Sequence, residues 1–318
     1  MGEQYSQPAA PAEKSGPRQK TARICYGRLA ATMWGCLAVA LIAACTDQTA
    51  EKPALVEVAN VTLASPDEDF GGLSGLEITA DGSHAYVITD RGRLFEFELQ
   101  RTDDGHVSNL SLVSKIQVNK SNKDYILDTE GLVLNPKGGF FISLENPPRV
   151  AKLNAGETDL KLLPRPPQDA IKRNNRGFEA LAIDAEGLLY TFPETLPTGW
   201  TDFPIYVFEN DQWKTKGTLP EAEDFFIVGA DFGPNDTLFL LERSFSPLGF
   251  RTRVSRVDFS QSPVRQSVIL NTRLGKYDNL EGISVWLDAS GTTRVTMVSD
   301  DNFLAVQQQQ LVEFILKE

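Results

Sequence analysis

The sequence predicts an all-β protein, a single β-propeller over residues 54–318, and three observations carry that prediction. A unit of about 50 residues recurs five times. Each unit is a set of short apolar runs separated by clusters of Asp, Asn, Pro and Gly. No segment after the leader keeps a helical period. The chain has 318 residues and is 41% hydrophobic, which is enough for a sizeable core.

The first 45 residues read as an export address. Residues 1–28 are polar and carry Lys14, Arg18, Lys20, Arg23 and Arg28, and an uncharged Ala- and Leu-rich stretch follows from Leu29 through Thr46. That stretch contains Leu41-Ile42-Ala43-Ala44-Cys45. It resembles the bacterial lipobox, in which a cysteine behind small residues is lipidated and becomes the N-terminus. Small residues there suit a peptidase better than a lipid-facing helix; an uncleaved membrane anchor is the alternative, because the run is near spanning length. The expected domains are a signal peptide at 1–44, a polar tether at 45–53 and the propeller at 54–318. Thr46 rather than Asp after Cys45 fits sorting to the outer membrane of a Gram-negative host, facing the periplasm. Loss of residues 1–44 removes five basic and two acidic groups, leaving 26 basic against 41 acidic and a net charge of −15.

The five units open at Leu73-Ser74-Gly75-Leu76, Thr129-Glu130-Gly131-Leu132, Phe178-Glu179-Ala180-Leu181, Val228-Gly229-Ala230-Asp231 and Leu280-Glu281-Gly282-Ile283. With Gly75, Gly131, Ala180, Ala230 and Gly282 as anchors, the spacings are 56, 49, 50 and 52. An apolar run and a turn follow each anchor, as at Asp81-Gly82, Asp184-Ala185-Glu186-Gly187 and Asp288-Ala289-Ser290-Gly291. Such residues supply the backbone conformations that hairpins need. Second strands are expected at 85–89, 140–144, 188–192, 238–241 and 294–298, and third strands at 93–99, 149–153, 205–208, 252–259 and 310–316. Fourth strands fit 110–118 and 264–270. The last unit has none downstream, so 54–63 is expected to close the ring and remove a free sheet edge. Five blades are visible and the longer connections leave room for a sixth; stacked β-sandwiches are the competing architecture.

Carboxylates recur at two places in the unit. Glu130, Glu179 and Glu281 stand just before the anchor, where Ser74 and Gly229 stand in the other units. Asp90, Glu145, Glu194, Glu242 and the pair Asp300-Asp301 follow the second strand. Equivalent positions of successive blades lie on one circle, so these groups should meet at one mouth of the central channel. Facing carboxylates repel and raise one another's pKa unless a cation lies among them. Oxygen-only ligation suits a divalent cation such as Ca²⁺. Expected metal ligands are Glu130, Glu179, Glu281, Asp300 and Asp301; expected catalytic groups are Arg91, Arg243 and Glu145. Arg91, Arg176 and Arg243 beside the acidic positions fit two roles, blade-to-blade salt bridges or a clamp on a substrate's oxygens.

Composition excludes much else. A pI of 4.8 speaks against nucleic-acid binding. Two histidines, His84 and His106, cannot build a multi-His metal site, and Cys25, Cys36 and Cys45 all lie in the leader. Gly72-Leu73-Ser74-Gly75 lacks the glycine spacing of a nucleophile elbow, and no phosphate loop or dinucleotide glycine motif is present.

Taken together, Leu73-Ser74-Gly75-Leu76, Asp128-Thr129-Glu130-Gly131-Leu132, Arg176-Gly177-Phe178-Glu179-Ala180-Leu181, Leu241-Glu242-Arg243-Ser244-Phe245, Asn279-Leu280-Glu281-Gly282-Ile283 and Ser299-Asp300-Asp301-Asn302-Phe303 resemble the bacterial phytase-like family. That family carries the label "esterase-like activity of phytase", and the resemblance covers roughly residues 68–316. It implies a propeller that hydrolyses phosphate or carboxylic esters. The chain has no counterpart of the dense Lys/Arg/Tyr set of the calcium-dependent phytases, which weighs against phytate. Two functional readings follow. One is a lipid-anchored hydrolase that acts on a small anionic ester through a metal-activated water. The other is a non-catalytic periplasmic scaffold that binds a partner or ligand on the same face.

Overall fold

The computed structural model describes residues 52–65, 70–119, 127–145, 148–167, 177–220, 224–260, 264–304 and 306–318. Cys45 and Arg176 lie outside them. The sequence turns sit where the Asp clusters predict, and for a local reason. Asp81, Asp184 and Asp288 each turn a carboxylate back to accept backbone N–H groups, from Ser83, from Glu186 and Leu188, and from Ser290 and Thr292. These Asx turns fix each hairpin's register before any long-range contact forms.

Among the described residues, twenty strands pair into five four-stranded antiparallel sheets. Blade 1 holds β2 (Leu73–Ile78), β3 (His84–Thr89), β4 (Arg93–Arg101) and β5 (Val107–Gln117). Blade 2 holds β6 (Thr129–Leu134), β7 (Phe140–Leu144), β8 (Arg149–Leu153) and β9 (Lys161–Leu162). Blade 3 holds β10 (Phe178–Ile183), β11 (Leu189–Pro193), β12 (Asp202–Glu209) and β13 (Gln212–Pro220). Blade 4 holds β14 (Phe226–Gly233), β15 (Thr237–Ser246), β16 (Gly249–Asp258) and β17 (Arg265–Asn271). Blade 5 holds β18 (Asn279–Leu287), β19 (Thr293–Asp300) and β20 (Gln310–Lys317), and β1 (Ala54–Thr62) completes it. The molecule is therefore a five-bladed β-propeller, and the longer connections add no sixth sheet among the described residues. β1 runs antiparallel to β20 from Ala54↔Lys317 to Thr62↔Gln310, which is the predicted closure.

The core is a ring of apolar clusters, most of them drawn from neighbouring blades. Leu73, Val87 and Phe95 of blade 1 pack with Val298 and Leu311 of blade 5, for example, and Tyr190 and Phe192 of blade 3 with Leu238 and Leu240 of blade 4. Every innermost strand also carries a register irregularity near its start, within 73–75, 129–132, 178–181, 227–229 and 280–282. Bulges of this kind re-aim the side chains beside them.

The pairing corrects the alignment of blade 4. Gly75 pairs with Ile88 and Gly282 with Val298, and their counterpart opposite Leu241 is Gly229 rather than Ala230. The slot before the anchor in blade 4 is therefore Val228. The second series shifts by one residue as well. Leu73, Thr129, Phe178, Ile227 and Leu280 face Thr89, Leu144, Pro193, Glu242 and Ser299. The next residues are Asp90, Glu145, Glu194, Arg243 and Asp300, so blade 4 contributes an arginine at this position, not Glu242. A one-residue slip moves a strand side chain to the opposite face. Glu242 accordingly lies within blade 4, bonded by Arg253, Ser255 and Gln266.

Candidate functional site

The mouth of the channel is built from the bulges at the starts of the inner strands and from the residues just past the second strands. Backbone bonds lock the two sets together. Asp90 N donates to Gly72 O, Glu145 N to Asp128 O and Glu194 N to Gly177 O, at 2.8, 3.0 and 3.2 Å. The same register thus repeats in the first three blades and brings their acidic side chains to one level.

Two groups of carboxylates result among the described residues. One oxygen from each of Asp128, Glu130 and Glu145 lies within 4.8 Å of the others, and so does one from each of Glu145, Glu179 and Glu194. Glu145 belongs to both. Ligands on opposite sides of a Ca²⁺ ion, at about 2.4 Å each, are separated by about that span. The donor set is oxygen-only and carries a surplus of negative charge, so the residues fit such a cation.

Arg243 places a guanidinium among these carboxylates. It donates through Nη1 to Glu281 Oε1 and to Asn279 Oδ1, and its Nη2 stands 4.0 Å from Glu194 Oε1. Asn279 Nδ2 donates a second bond to Glu281 at 2.7 Å. Glu281 is therefore held by two partners of its own and joins neither carboxylate group. Asp300, at the end of β19, accepts from Asn302 N at 2.7 Å. Asp301 accepts from two backbone amides, Gly72 N and Phe303 N, both at 3.1 Å. Arg91 stands at the rim with its guanidinium carbon 3.5 Å above the Phe303 ring and Nε 4.0 Å from Asp90.

Burial dominates the electrostatics. It pushes the Glu130 carboxyl well above the usual carboxylate range, and Glu179, Glu281, Asp128 and Glu145 push it further. Glu179 rises for the same reason, with Glu194 adding to burial and Arg243 opposing it. Glu281 is raised by burial despite Arg243 and Asn279. Asp300 is pushed up to about 8, by burial first and then by Glu281. Perturbed acids that converge on one mouth are the pattern expected of a functional site.

Of the expected ligands, the structure gathers Glu130 and Glu179 with Glu145. It places Glu281 and Asp300 beside them in other contacts and gives Asp301 a turn-capping role. Asp128 and Glu194, which complete the two carboxylate groups, were not among the expected ligands, although each left a signal. Glu194 occupies the recurring slot after the second strand. Asp128 stands two residues before Glu130, where the bulge returns its side chain to the same mouth.

A five-bladed propeller with a carboxylate-lined channel mouth is the class of protein that fold and site define. The chain belongs to the Phytase-like family, described as "esterase-like activity of phytase", whose model matches residues 68–303. No curated protein matches the sequence. Among solved structures, a luciferin-regenerating enzyme is 12% identical with a TM-score of 0.46, covering 81% of this chain and 95% of its own. The WD40 repeats of RRP9 are 9% identical with a TM-score of 0.45, covering 83% and 100%. Likenesses this distant carry no argument about activity.

Proposed function

We propose that this chain is a hydrolase of phosphate or carboxylic esters, with its reaction centre at the carboxylate mouth and a divalent cation, Ca²⁺ by donor type, as its cofactor. The observation that carries the reading is the charge imbalance. Among the described residues, Glu281, Glu179, Glu194 and Glu130 all act on Arg243, and Asp128 and Glu145 join Glu130, Glu179 and Glu194 in the two carboxylate groups. Asp128, Glu130 and Glu145 would hold the ion, with Glu179 and Glu194 as the second group that shares Glu145. When bound, such an ion acidifies water and polarises an ester oxygen.

The chain's own groups do the rest. Arg91 is mostly exposed and can swing from Asp90 toward a substrate's anionic oxygen, with Phe303 beneath it as a platform. Arg243 is already committed to Glu281 and Asn279, so its role is to fix Glu281 and temper the field on Glu179. That same ion pair also supports the scaffold reading, because a blade-to-blade bridge at the mouth needs no chemistry.

The lipobox-like ending supports export, cleavage before Cys45 and attachment to the membrane by lipid alone, facing the periplasm. Replacing Cys45 by Ser is expected to release the protein from the membrane fraction; continued attachment would indicate a spanning anchor.

The deciding experiment measures melting and hydrolysis of phosphomonoester, phosphodiester and carboxylic-ester substrates with chelator and with added Ca²⁺. A cation at 100 times its dissociation constant stabilises the fold by about 2.7 kcal/mol. Chelation is expected to lower Tm and abolish turnover, and Glu130→Gln to weaken both responses. An unchanged melting curve and no hydrolysis would leave the scaffold.

A further inference from the structure

The channel has a second end. Each inner strand starts at the mouth and runs to the opposite face, where residues from all five blades enclose a cavity of about 410 Å³, within the range of small-molecule sites. Its lining is largely apolar and includes Leu134 of β6, Ile183 of β10, Phe232 of β14, and Val285 and Leu287 of β18. Set among these are two carboxyls, Glu77 of β2 and Asp231 of β14, which are only 7% and 8% exposed.

Neither acid has a basic partner: among the described residues, no Lys, Arg or His lines the cavity. Asp231 Oδ1 accepts from Phe232 N at 2.8 Å and Oδ2 from Val285 N at 2.6 Å, and the Ser284 hydroxyl bonds the same carboxyl. Glu77 Oε1 accepts from Leu134 N at 3.1 Å, and no hydrogen bond from a described residue reaches Oε2. Burial raises both carboxyls, and the charge of Asp231 raises Glu77 further. Two acids buried together without a basic neighbour hold protons, and a cation that enters can replace one.

Donor number and wall chemistry decide which cation fits. A Ca²⁺ ion takes about six to eight oxygens, and these two carboxyls join no third acidic side chain in a metal-sized group among the described residues. An ammonium group needs only about three acceptors. The oxygens of Glu77 and Asp231 can supply them, and an alkyl stem on the nitrogen gains from contact with the apolar wall.

We propose that the far end of the channel binds an alkylammonium group, with its charge between Glu77 and Asp231 and its stem against Leu134, Ile183 and Leu287. The site is separate from the mouth and does not rest on the hydrolase reading. The test is calorimetry on the full chain near neutral pH with n-butylamine, methylamine and n-butanol. Butylammonium is expected to bind at least about tenfold tighter than methylammonium, since each added CH₂ is worth up to about fourfold, and butanol is expected not to bind. Binding should release protons, because an ammonium favours the ionised carboxylates, so the heats should differ between phosphate and Tris buffers. Glu77→Gln and Asp231→Asn keep acceptors for the backbone amides and should each weaken butylammonium about tenfold or more. Glu130→Gln at the mouth should leave the affinity unchanged. Leu287→Ser, at a position 45% exposed, should shrink the difference between butyl and methyl without removing a charge. A comparison of Nα-acetyl-lysinamide with n-pentylamine separates a polypeptide side chain from a free amine as the source; tighter binding of either keeps the site and names the source. The site is overturned if butylammonium fails to bind, if its binding survives both far-end carboxyl substitutions, or if Glu130→Gln abolishes it. Equal affinity for methyl- and butylammonium would also overturn it, because the wall would then play no part.

Discussion

At the mouth, Arg243 touches Glu281 and stands 4.0 Å from Glu194, while Glu179 and Glu130 add their field from farther off. Its own charge is costly to bury, and the surrounding carboxylates more than offset that cost, so its pKa rises above the ordinary arginine value. Arg243→Met would leave Glu281 with only Asn279 and remove the force that opposes the rise at Glu179. Breaking a buried pair by deleting one partner typically costs about 3–5 kcal/mol, and a loss of that order in urea unfolding is expected. At the far end of the channel, Glu77 and Asp231 line a cavity of about 410 Å³. Burial pushes Asp231 up to about 7 against bonds from Val285 N and Phe232 N, and pushes Glu77 well above its usual range with Asp231 adding to it. A carboxyl whose pKa is raised by folding favours the fold as the neutral acid. Its contribution is complete below the unfolded value of about 4, is lost as pH rises through the folded value, and is absent above it. The unfolding free energy is thus expected to fall between about pH 4 and pH 8. Glu77→Gln, which can still accept from Leu134 N, should flatten that fall, as measured by denaturant titrations at several pH values.

At the scale of the strand, the small anchor residues have a steric cause. A Cβ on Gly75 would stand 2.5 Å from Glu130 O, one on Gly131 2.5 Å from Glu179 O, and one on Gly229 2.5 Å from Glu281 O. Each anchor abuts the carbonyl of a candidate-site residue in the next blade, because inner strands crowd together around the axis. Gly131→Ala is expected to destabilise by about 1–3 kcal/mol and to displace Glu179, so that loss of Ca²⁺-dependent stabilisation accompanies the lower Tm. Normal melting would show that the neighbouring strand yields. The recurrence of small residues was legible in the sequence because this crowding repeats with the blade, and so were the hairpins, whose Asp turns are local. Blade 4 was misaligned because Gly229-Ala230 offers two small residues in succession, and only the pairing of Gly229 with Leu241 tells them apart. Glu242 was misplaced by the same slip. The places of Glu194 and Asp128 in the carboxylate groups were harder to read, since a bulge, not strand alternation, decides which way Asp128 and Glu130 point.

For the whole molecule, stability depends on joining the two ends of the chain. β1 is bonded only to β20 within its sheet, yet its side chains enter two interblade cores: Leu55 packs with Phe314 and Val254, and Ala59 and Val61 lie against the cluster of Leu73 and Phe95. A salt-bridge network fastens the same junction. Glu313 on β20 is fully buried and accepts from Arg101 of blade 1 at 2.9 and 3.0 Å and from Arg294 of its own blade at 2.8 Å, while Trp286 packs beneath both guanidinium groups. Deleting the residues before Leu63 would expose the edge of β20 and open both cores at once. The expected outcome is one cooperative transition moved to much lower temperature, with fluorescence and circular dichroism coinciding, rather than early melting of blade 5 alone. Glu313→Gln tests the clasp without removing the strand. It removes the carboxylate that Arg101 and Arg294 share, leaving Arg294 its bond to Asp288, a change of up to about 3–5 kcal/mol. If closure holds the ring as a unit, this single substitution lowers the same global transition, and a separate low-temperature step confined to blade 5 would argue that the blades melt independently.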